Sequence, residues 1–439
     1  MQQTTAKKPL NPLNGSVRAP GDKSMSHRAV IFGALAEGVT HIRGLLEGDD
    51  ILRTIDAMRA FGAKVDQISE GEWTVEGCGA KGWQSPKGKV DFGNAGTGAR
   101  LIMGAAAGFD LQASYKGDKS LSMRPMGRVL IPLSEMGAFF ESKANTLPIR
   151  QTQGGNLTAL SHSPEHASAQ VKSALLLAGL GANGTTDVTE SRITRDHTEN
   201  MLEAFGVPVS RKNAGNGQKV SITGPARLKA TKVNIPGDPS SAAFLIAAAL
   251  VVPGSDIVVE NVMMNPSRTG LFEVLIEMGA FLRADNFRRS GGETIADIHV
   301  KHSKLGGVSV PAARVPSMVD EYPVLAVVAA FARGTTEMRG LGELRVKESD
   351  RLTGTYDLLR LNGVSCDMKE DMLSVEGGAA PLGGGRVATH HDHRLAMSAL
   401  VLGLGAQNPV SIDDATMIKT SFPSFFDLMD QIGAPIDKA

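Results

Sequence analysis

The sequence is poor in cysteine and in aromatic residues. Its only two cysteines, Cys78 and Cys366, lie far apart, and neither belongs to a Cys-x-x-Cys motif. This excludes a disulfide scaffold and a cysteine zinc site. Aromatic residues make up 5% of the chain, whereas glycine occurs 50 times. That combination favours tight turns and close backbone approaches over an aromatic-rich recognition surface.

An excess of charge of one sign is also missing. The chain has 46 Lys plus Arg and 46 Asp plus Glu, so no global basic field attracts nucleic acid or membranes. The longest apolar run, 242–252, covers 11 residues and is too short to span a bilayer. The polar N-terminus lacks the apolar segment of a signal peptide. We therefore expect a globular, cytoplasmic protein of two to four domains without nucleic-acid or membrane partners.

Six stretches of the sequence repeat one pattern, in which a short polar or glycine-containing start precedes a helix of small and apolar residues. They begin near Gly21, Gly93, Ser168, Gly237, Asp320 and Asp392, at steps of 69 to 83 residues. In 28–36 and 241–250, apolar residues occupy every face of the predicted helix. A helix that is apolar all round lies inside a protein, so we expect these helices to be buried.

A second series of predicted helices, amphipathic in pattern, alternates with the first. Ile51, Ile55 and Met58 recur at helical spacing, and Gly62 follows as a stop signal. The same shape precedes Gly137, Gly206, Gly279, Gly363 and Gly433. Each of these glycines is followed by short residues of strand type. The chain therefore contains six α/β repeats of about 72 residues, each larger than a solenoid repeat.

Six repeats of this size fit two similar lobes of three repeats each. The boundary falls near Pro236–Gly237, where the fourth repeat begins. We predict one lobe over 20–236, and a second lobe over 1–19 plus 237–439. The chain would then cross between the lobes twice.

Two local patterns that could indicate cofactor or metal sites have weak contexts. Gly77-x-Gly79-x-x-Gly82 matches the dinucleotide fingerprint, but Trp83-Gln84-Ser85-Pro86 does not open a helix, which favours a turn between strands. No P-loop motif and no nucleophile elbow occur in the sequence. The segment His390–His393 offers three histidines, but its neighbouring side chains point in different directions and lack a second ligand cluster. We predict no metal site.

Cationic and small polar residues recur at the starts of the predicted helices. Gly21-Asp22-Lys23-Ser24 is followed by Arg28, Gly93-Asn94-Ala95-Gly96-Thr97 by Arg100, and Asp392-His393 by Arg394. Ser168-Ala169-Gln170 with Lys172 repeats this theme. Helix N-termini present free amides and a positive dipole end, and both bind phosphate or carboxylate. The second series of helices adds Arg124, Arg195, Lys347, Arg351 and Lys419. Recurrence over six repeats predicts a polyanion-binding cleft between the lobes.

At these residues the sequence resembles the 5-enolpyruvylshikimate-3-phosphate synthase family over about residues 10–436. The matching motifs include Gly21-Asp22-Lys23-Ser24, Gly93-Asn94-Ala95-Gly96-Thr97, Arg124-Pro125, Asp320-Glu321-Tyr322-Pro323, Arg345-Val346-Lys347-Glu348-Ser349-Asp350-Arg351 and Asp392-His393-Arg394. Ser168-Ala169-Gln170-Val171-Lys172 and Arg195-Asp196-His197-Thr198-Glu199 resemble the family's second class, whose members are often glyphosate-tolerant. Two positions depart from that class. Ser267 replaces Thr, and Gly96 stands where tolerant members usually carry Ala.

The resemblance implies a fold, a reaction and a set of site residues. The fold would be a two-lobed inverse α/β barrel of six βαβαββ repeats, three per lobe, which closes over its ligands as a monomer. The enzyme would join phosphoenolpyruvate to the 5-hydroxyl of shikimate 3-phosphate by addition and elimination, with no metal or organic cofactor. Shikimate 3-phosphate would be held by Lys23, Ser24, Arg28, Ser168, Ala169, Gln170, Arg195, Asp320 and Lys347. Phosphoenolpyruvate would be held by Lys23, Gly96, Arg124, Gln170, Arg351, Arg394 and Lys419.

The same resemblance supplies candidate groups for the proton transfers. Asp320 would take the hydroxyl proton, Glu348 would protonate C3 of phosphoenolpyruvate, and Lys23 would spread the developing charge or share either transfer. Arginine suits the binding roles because its planar fork grips carboxylate and phosphate bidentately.

Two alternatives remain open from the sequence. The sister enzyme that acts on UDP-N-acetylglucosamine carries a reactive cysteine on a loop of its first lobe, but the corresponding stretch here, 116–126, contains none. A non-catalytic anion-binding protein on the same fold is a different class of protein. The presence of Lys23, Asp320 and Glu348 disfavours it, and an assay of phosphate release with both substrates distinguishes the two.

Overall fold

The computed structural model of the chain describes residues 4–165, 167–434 and 436–438. The chain divides into two compact units. The first unit is Gly21–Ile235, and the second is Pro236–Ala439 together with the N-terminal segment up to Pro20. That segment contributes strands β1 (Thr4–Ala6) and β2 (Asn14–Arg18) to the second unit.

The first unit alternates buried helices, amphipathic helices and short strands. Its elements are α1 (Lys23–Leu35), β3 (Val39–Arg43), α2 (Asp49–Ala60), β4 (Lys64–Ser69), β5 (Glu72–Glu76), β6 (Val90–Asp91), α3 (Gly96–Ala107), β7 (Ala113–Lys116), α4 (Lys119–Met123), α5 (Gly127–Glu135), β8 (Phe139–Ser142), β9 (Ile149–Gln153), β10 (Leu157–Thr158), β11 (Ser161–His162), α6 (Ala169–Gly179), β12 (Ala182–Glu190), α7 (His197–Ala204), β13 (Ser210–Ala214), β14 (Gly217–Gly224) and β15 (Lys232–Asn234).

The second unit follows the same order of elements after residue 236. Its remaining elements are α8 (Pro239–Val251), β16 (Asp256–Met263), α9 (Gly270–Glu277), β17 (Phe281–Ser290), β18 (Glu293–Lys301), β19 (Ser309–Val310), α10 (Val315–Met318), α11 (Tyr322–Phe331), β20 (Gly334–Arg339), α12 (Arg351–Leu361), β21 (Ser365–Met368), β22 (Met372–Gly377), β23 (Arg386–Val387), α13 (His393–Gly405), β24 (Val410–Ile412), α14 (Phe425–Gln431) and β25 (Asp437–Lys438).

Within the described residues, each unit contains three sheets of one basic topology, and β11 additionally pairs parallel with β12 in the third sheet of the first unit. The strand orders are β15-β3-β5-β4, β6-β7-β9-β8 and β10-β12-β14-β13 in the first unit, and β17-β18-β16-β2, β19-β20-β22-β21 and β23-β24-β1-β25 in the second. In every sheet a short strand pairs parallel to the strand after the buried helix, and two further strands continue antiparallel. Strands β2 and β1 complete sheets of the fourth and sixth repeats, which ties the N-terminal segment to the second unit.

The helices predicted to be buried form the interior of each unit. All 13 residues of α8 and all 13 of α13 are buried, and nine of the ten residues of α11 are. In the first unit α3 packs against α6 so closely that a Cβ on Gly104 would lie 2.3 Å from the carbonyl oxygen of Ala174. Small residues therefore allow backbones to meet inside the units, as the composition indicated. The prediction of buried helices is confirmed.

The glycines predicted to end the amphipathic helices all do so. Gly62, Gly137, Gly206, Gly279, Gly363 and Gly433 have φ between 78° and 109°. A residue with a side chain rarely adopts this left-handed conformation, so glycine stops the helix and turns the chain into the next strand.

No helix among residues 4–165, 167–434 and 436–438 has the length and apolar character needed to cross a membrane.

Candidate active site

In the first unit, Lys23 and Ser24 begin the buried helix α1. The preceding Asp22 is fully buried and caps this helix by accepting a hydrogen bond of 2.7 Å from the amide of Met25. The ammonium of Lys23 lies 2.5 Å from the carboxylate of Asp50, in the first turn of α2. The sequence identified Lys23 but not this partner. Acidic residues at the start of α2 are a helix-dipole signal, and they do not reveal a contact with another helix.

Arg28, one turn further along α1, is buried and joins three elements. Its Nε donates to the Thr198 hydroxyl at 2.7 Å, and its two Nη atoms donate to the Ser173 hydroxyl and the Ser24 carbonyl oxygen at 2.8 and 2.9 Å. Thr198 belongs to α7 and Ser173 to α6. Arg28 therefore holds the N-terminal parts of α1, α6 and α7 together.

Gly96 is the first residue of α3, and that helix begins without a side-chain cap. The adjacent Arg124 is buried and donates to the side-chain oxygen of Asn94 at 2.5 Å. A Cβ on Gly96 would lie 2.9 Å from Nη1 of Arg124 and 3.3 Å from Nη1 of Arg100. Two guanidinium groups thus lie beside uncapped backbone amides, an arrangement that suits an anion.

Gln170 connects α6 with α3. Its side-chain amide donates to the Thr97 hydroxyl at 2.9 Å, and its oxygen accepts from Arg100 at 2.7 Å. Ser168 caps α6 by accepting from the amide of Val171 at 3.5 Å, and Ala169 is the first residue of the helix. The first turns of α3 and α6 therefore lie side by side. The six predicted site residues on α1, α3 and α6 are all half-buried or buried.

Lys172 does not belong to the anion-binding set, and the interpretation of it as a further cation of the helix starts is wrong. Its side chain is completely buried, with Nζ 2.8 Å from Glu190 and 2.7 Å from Glu199. Burial alone would lower the pKa of Lys172, but the two carboxylates outweigh burial and raise it. The ammonium is thus bound by protein carboxylates. Arg195, in contrast, is half-buried in the loop before α7.

In the second unit, Arg351 is the centre of a cluster of acids. The guanidinium lies 3.1 Å from Asp320, 2.5 Å from Glu348 and 2.8 Å from Asp392, and the Arg351 side chain is 1% exposed. Burial alone would lower the pKa of Arg351, but Asp392, Glu348 and Asp320 raise it above its usual range. The two predicted proton-transfer acids are therefore held beside one buried arginine.

Lys347 and Arg394 lie next to this cluster. Burial lowers the pKa of Lys347, although the nearby carboxylate of Asp320 acts in the opposite direction. Arg394 donates to the backbone oxygen of Asp320 at 3.2 Å and approaches Glu321 to 3.6 Å. Lys419 is exposed on the short 3₁₀ helix Thr416–Thr420.

Buried aspartates cap the helix starts, and sequence reasoning missed their role. Asp22, Asp238 and Asp392 accept hydrogen bonds from first-turn amides of α1, α8 and α13. Two of them also pair with arginines, Asp238 with Arg268 at 2.9 Å and Asp392 with Arg351. Aspartate directly before an apolar helix is a capping signal that could have been found in the sequence. Part of each N-terminus is therefore already satisfied by the protein itself.

The structure shows what the dinucleotide-like glycine pattern and the histidine segment 390–393 form. Gly79–Lys81 forms one 3₁₀ turn and no α-helix opens there, which confirms the interpretation as a turn. His390 and His391 adopt left-handed backbone conformations, while His393 is buried as the first residue of α13. His391 lies 3.4 Å from Asp414.

The fold is that of the enolpyruvyl transferases. The enolpyruvyl transferase NikO from Streptomyces tendae has the same fold with a TM-score of 0.78 over 100% of this chain and 99% of NikO, at 19% identity. EPSP synthase from Acinetobacter baumannii superposes with a TM-score of 0.88 over the whole of both chains, at 42% identity.

The sequence comparisons specify the family. The family model of EPSP synthase (3-phosphoshikimate 1-carboxyvinyltransferase) matches residues 7–429. The 3-phosphoshikimate 1-carboxyvinyltransferase of Maricaulis maris is 54% identical over 98% of this chain and 96% of that protein. The chain belongs to the EPSP synthase family. It is a transferase of the shikimate pathway that moves the enolpyruvyl group of phosphoenolpyruvate to the 5-hydroxyl of shikimate 3-phosphate and releases phosphate.

Proposed function

We propose that Asp320, Glu348 and Lys23 carry the proton transfers and charge stabilisation of this enolpyruvyl transfer. The observation that supports this assignment most directly is the arrangement around Arg351. Two carboxylates that face the same buried guanidinium at 3.1 and 2.5 Å are positioned by one group and are not independent surface acids. Such positioning is what general acid–base catalysis requires.

The reaction places distinct demands on these groups. In the addition, the 5-hydroxyl oxygen bonds to C2 of phosphoenolpyruvate, Asp320 accepts the hydroxyl proton, and Glu348 delivers a proton to C3. In the elimination, C3 returns a proton to the Glu348 carboxylate, the double bond between C2 and C3 re-forms, and phosphate leaves with the electrons of the broken C–O bond. Lys23, already paired with Asp50 at 2.5 Å, supplies positive charge to the phosphate oxygens.

Phosphoenolpyruvate that binds to Arg351 would compete with protein carboxylates for the guanidinium. Arg351 is surrounded by three acids, so an anion that takes guanidinium hydrogens displaces Glu348 or Asp320 from it. A carboxylate that loses its cationic partner in a partly buried place holds a proton more readily. Displacement would therefore prepare Glu348 to act as the acid. We assign Arg394 and Lys419 to the same substrate.

In the first unit we assign Gly96, Arg124 and Gln170 to phosphoenolpyruvate. The uncapped start of α3 beside the Arg124 guanidinium supports this assignment. We assign Ser24, Arg28, Ser168, Ala169, Gln170 and Arg195 to shikimate 3-phosphate, together with Lys347 and Asp320 of the second unit. Arg28, Gln170 and Ser168 belong to the connected first turns of α1, α3 and α6.

Phosphate release tests the proposed roles. We expect Glu348→Gln and Asp320→Asn each to keep the binding of shikimate 3-phosphate within a few-fold and to lower turnover by about 100-fold or more, the scale of a positioned proton-transfer group. Glu337→Gln is the matched control, because Glu337 lies on β20 and pairs with Arg339 instead of Arg351. Turnover that is unchanged in Glu348→Gln would remove Glu348 from the mechanism.

We further propose that the chain works in the cytoplasm as a monomer without metal or organic cofactor. The chemistry supports the last point, because the reaction consists of proton transfers and exchange of C–O bonds, with no redox step. Turnover that survives exhaustive chelation, and sedimentation of the active enzyme as a single chain, are the expected results.

A further inference from the structure

The loop before α7 is anchored to a buried ammonium inside the first unit. Lys172 lies on α6 with a fully buried side chain, and its Nζ contacts Glu190 at the end of β12 and Glu199 in the first turn of α7. The carbonyl oxygen of Thr194 lies 3.5 Å from the same Nζ. An ammonium has three donors, so this one has an acceptor on each side of the loop and one within it.

Thr194, the residue directly before Arg195, is fixed at each of its polar backbone and side-chain atoms. Its hydroxyl donates to Glu190, and its amide lies 3.5 Å from the same carboxylate. Its carbonyl oxygen faces Lys172, and the residue is 5% exposed. The backbone on one side of Arg195 therefore has little freedom.

On the other side of Arg195, the side chain of Thr198 is anchored as well. Thr198 accepts from Arg28 at 2.7 Å and lies 2.7 Å from the Ser173 hydroxyl. Ser173 follows Lys172 on α6, the helix whose first turn carries Ser168, Ala169 and Gln170. Arg195 thus lies between two anchors that both lead back to α6.

We propose that Lys172, Glu190 and Glu199 are positioning residues that hold Arg195 in register with the first turn of α6 for binding shikimate 3-phosphate. The inference rests on the proposed function, because it assigns Arg195 and the α6 turn to that substrate. The contacts add to that assignment by identifying the buried group that sets the position of Arg195 relative to the first turn of α6. All three side chains are inaccessible to solvent, so the proposed role is positioning and not contact with the substrate.

A buried triad of two carboxylates and one ammonium is a costly structural element. Burial raises the pKa of Glu199, and Lys172 opposes this shift. Taking charges out of water is unfavourable unless geometry compensates it, and a hydrophobic trio would serve stability equally well. A need to hold the loop after Glu190 in one defined position is a reason for such a charged triad to be present.

The test is a double-mutant cycle between Glu199→Gln and Arg195→Ala. Gln at position 199 has nearly the same shape and retains its hydrogen-bonding side chain in the first turn of α7, while the Lys172–Glu190 pair is left intact. We expect Glu199→Gln to raise the KM for shikimate 3-phosphate about tenfold, with turnover and the KM for phosphoenolpyruvate within about twofold. A misplaced binding group commonly has effects of this size or larger.

In the cycle we expect Glu199→Gln to add nothing to the effect of Arg195→Ala, since residues that act through one another are not additive. The matched control is Glu203→Gln, the same substitution one turn along α7, where Glu203 pairs with Arg211 at 2.6 Å on the surface. Both KM values should stay unchanged in this control. Thr194→Val, which removes one hydroxyl of the anchor, is the second test variant should Glu199→Gln fold poorly.

The outcomes separate the inference from the proposed function. An unchanged KM for shikimate 3-phosphate in Arg195→Ala contradicts the assignment of Arg195, and with it the inference. A raised KM in Arg195→Ala, combined with a fully multiplicative or absent effect of Glu199→Gln, overturns only the positioning role. A simple loss of stability would lower the melting temperature and the amount of active enzyme without changing one KM selectively.

Discussion

Replacement of Gly96 by alanine tests the first-unit part of the proposed site. The position has an ordinary helical backbone, so the methyl group acts by contact and not by backbone strain. Its Cβ would lie 2.9 Å from Nη1 of Arg124, and 3.3 Å from both Arg100 and the Leu121 side chain. Non-bonded atoms prefer about 3.5 Å or more. The guanidinium of Arg124 must therefore move by about half an ångström.

An alanine methyl group at position 96 can discriminate against glyphosate in two ways: it can obstruct the ligand directly, or it can move a neighbouring side chain. In the structure it meets Arg124 first, and Arg124 is held by Asn94 at 2.5 Å, so the shift disturbs a group assigned to phosphoenolpyruvate. One methyl-sized change is commonly worth about 1–3 kcal/mol, or about 10- to 200-fold. We therefore expect Gly96→Ala to raise the KM for phosphoenolpyruvate by about tenfold, the lower end of this range.

The inhibition constant of glyphosate should rise more than that KM. Glyphosate is longer than phosphoenolpyruvate, so it suffers the direct obstruction as well as the shift of Arg124. We expect the natural protein to be glyphosate-sensitive, with inhibition competitive towards phosphoenolpyruvate. The assay is a titration of both forms with glyphosate at several concentrations of phosphoenolpyruvate.

A second substitution isolates the role of Arg124. In an Arg124→Lys background the planar fork is gone, and Gly96→Ala should then change the KM for phosphoenolpyruvate much less than it does beside Arg124. Equal rises of the inhibition constant and the KM would refute the steric reasoning. A natural enzyme that already resists millimolar glyphosate would show that tolerance arises elsewhere in the site.

Two further predictions concern pH. Burial lowers the pKa of Lys347, so its ammonium should lose its proton at a lower pH than that of an ordinary lysine, and kcat/KM for shikimate 3-phosphate should fall on the alkaline side. Lys347→Arg stays charged and should move that fall to higher pH. Identical pH profiles of the two proteins would contradict the assignment of Lys347 to shikimate 3-phosphate. His27 is completely buried, and burial followed by the charges of Lys23 and Arg28 holds its pKa well below 6.5. Below about pH 6.5 the unfolded chain takes up a proton at His27 and the folded chain does not, so the free energy of unfolding should fall with acidification. The difference in melting temperature between the natural protein and His27→Asn should therefore narrow from pH 8 to pH 5. A difference that stays constant would contradict this reasoning.

The periodicity of the sequence was sufficient to predict the repeats and the helices. The pattern of Ala242–Val252 indicated a buried helix, and every residue of α8 is buried. The glycines at the ends of the amphipathic helices were predictable because a single backbone conformation, available mainly to glycine, ends a helix in this way. These features depend on residues within one turn or one strand of each other, where spacing alone determines which face a side chain occupies.

The charged contacts were not predictable in the same way. Lys172 on α6 meets Glu199 at the start of α7 through a side-chain contact, and Arg351 meets Asp392 through the packing of α12 and α13. A sequence shows that each of these residues is charged, but not which opposite charge the fold places beside it. For that reason Lys172 was mistaken for an anion-binding cation, and Arg351 was described without its three acids.

The acids around Arg351 explain how an arginine that we assign to substrate binding is buried in the protein without a ligand. Removing a guanidinium from water is unfavourable, and in the second unit Asp320, Glu348 and Asp392 compensate for it when the protein folds. If Arg351 binds an anion as proposed, that anion would exchange with a carboxylate and would not have to dehydrate the arginine. Because Asp392 also caps α13 by accepting from the amide of Arg394, it would stay in place during such an exchange and keep the guanidinium oriented. The carboxylates that leave are the two assigned to proton transfer, so binding and activation of the acids would be one event.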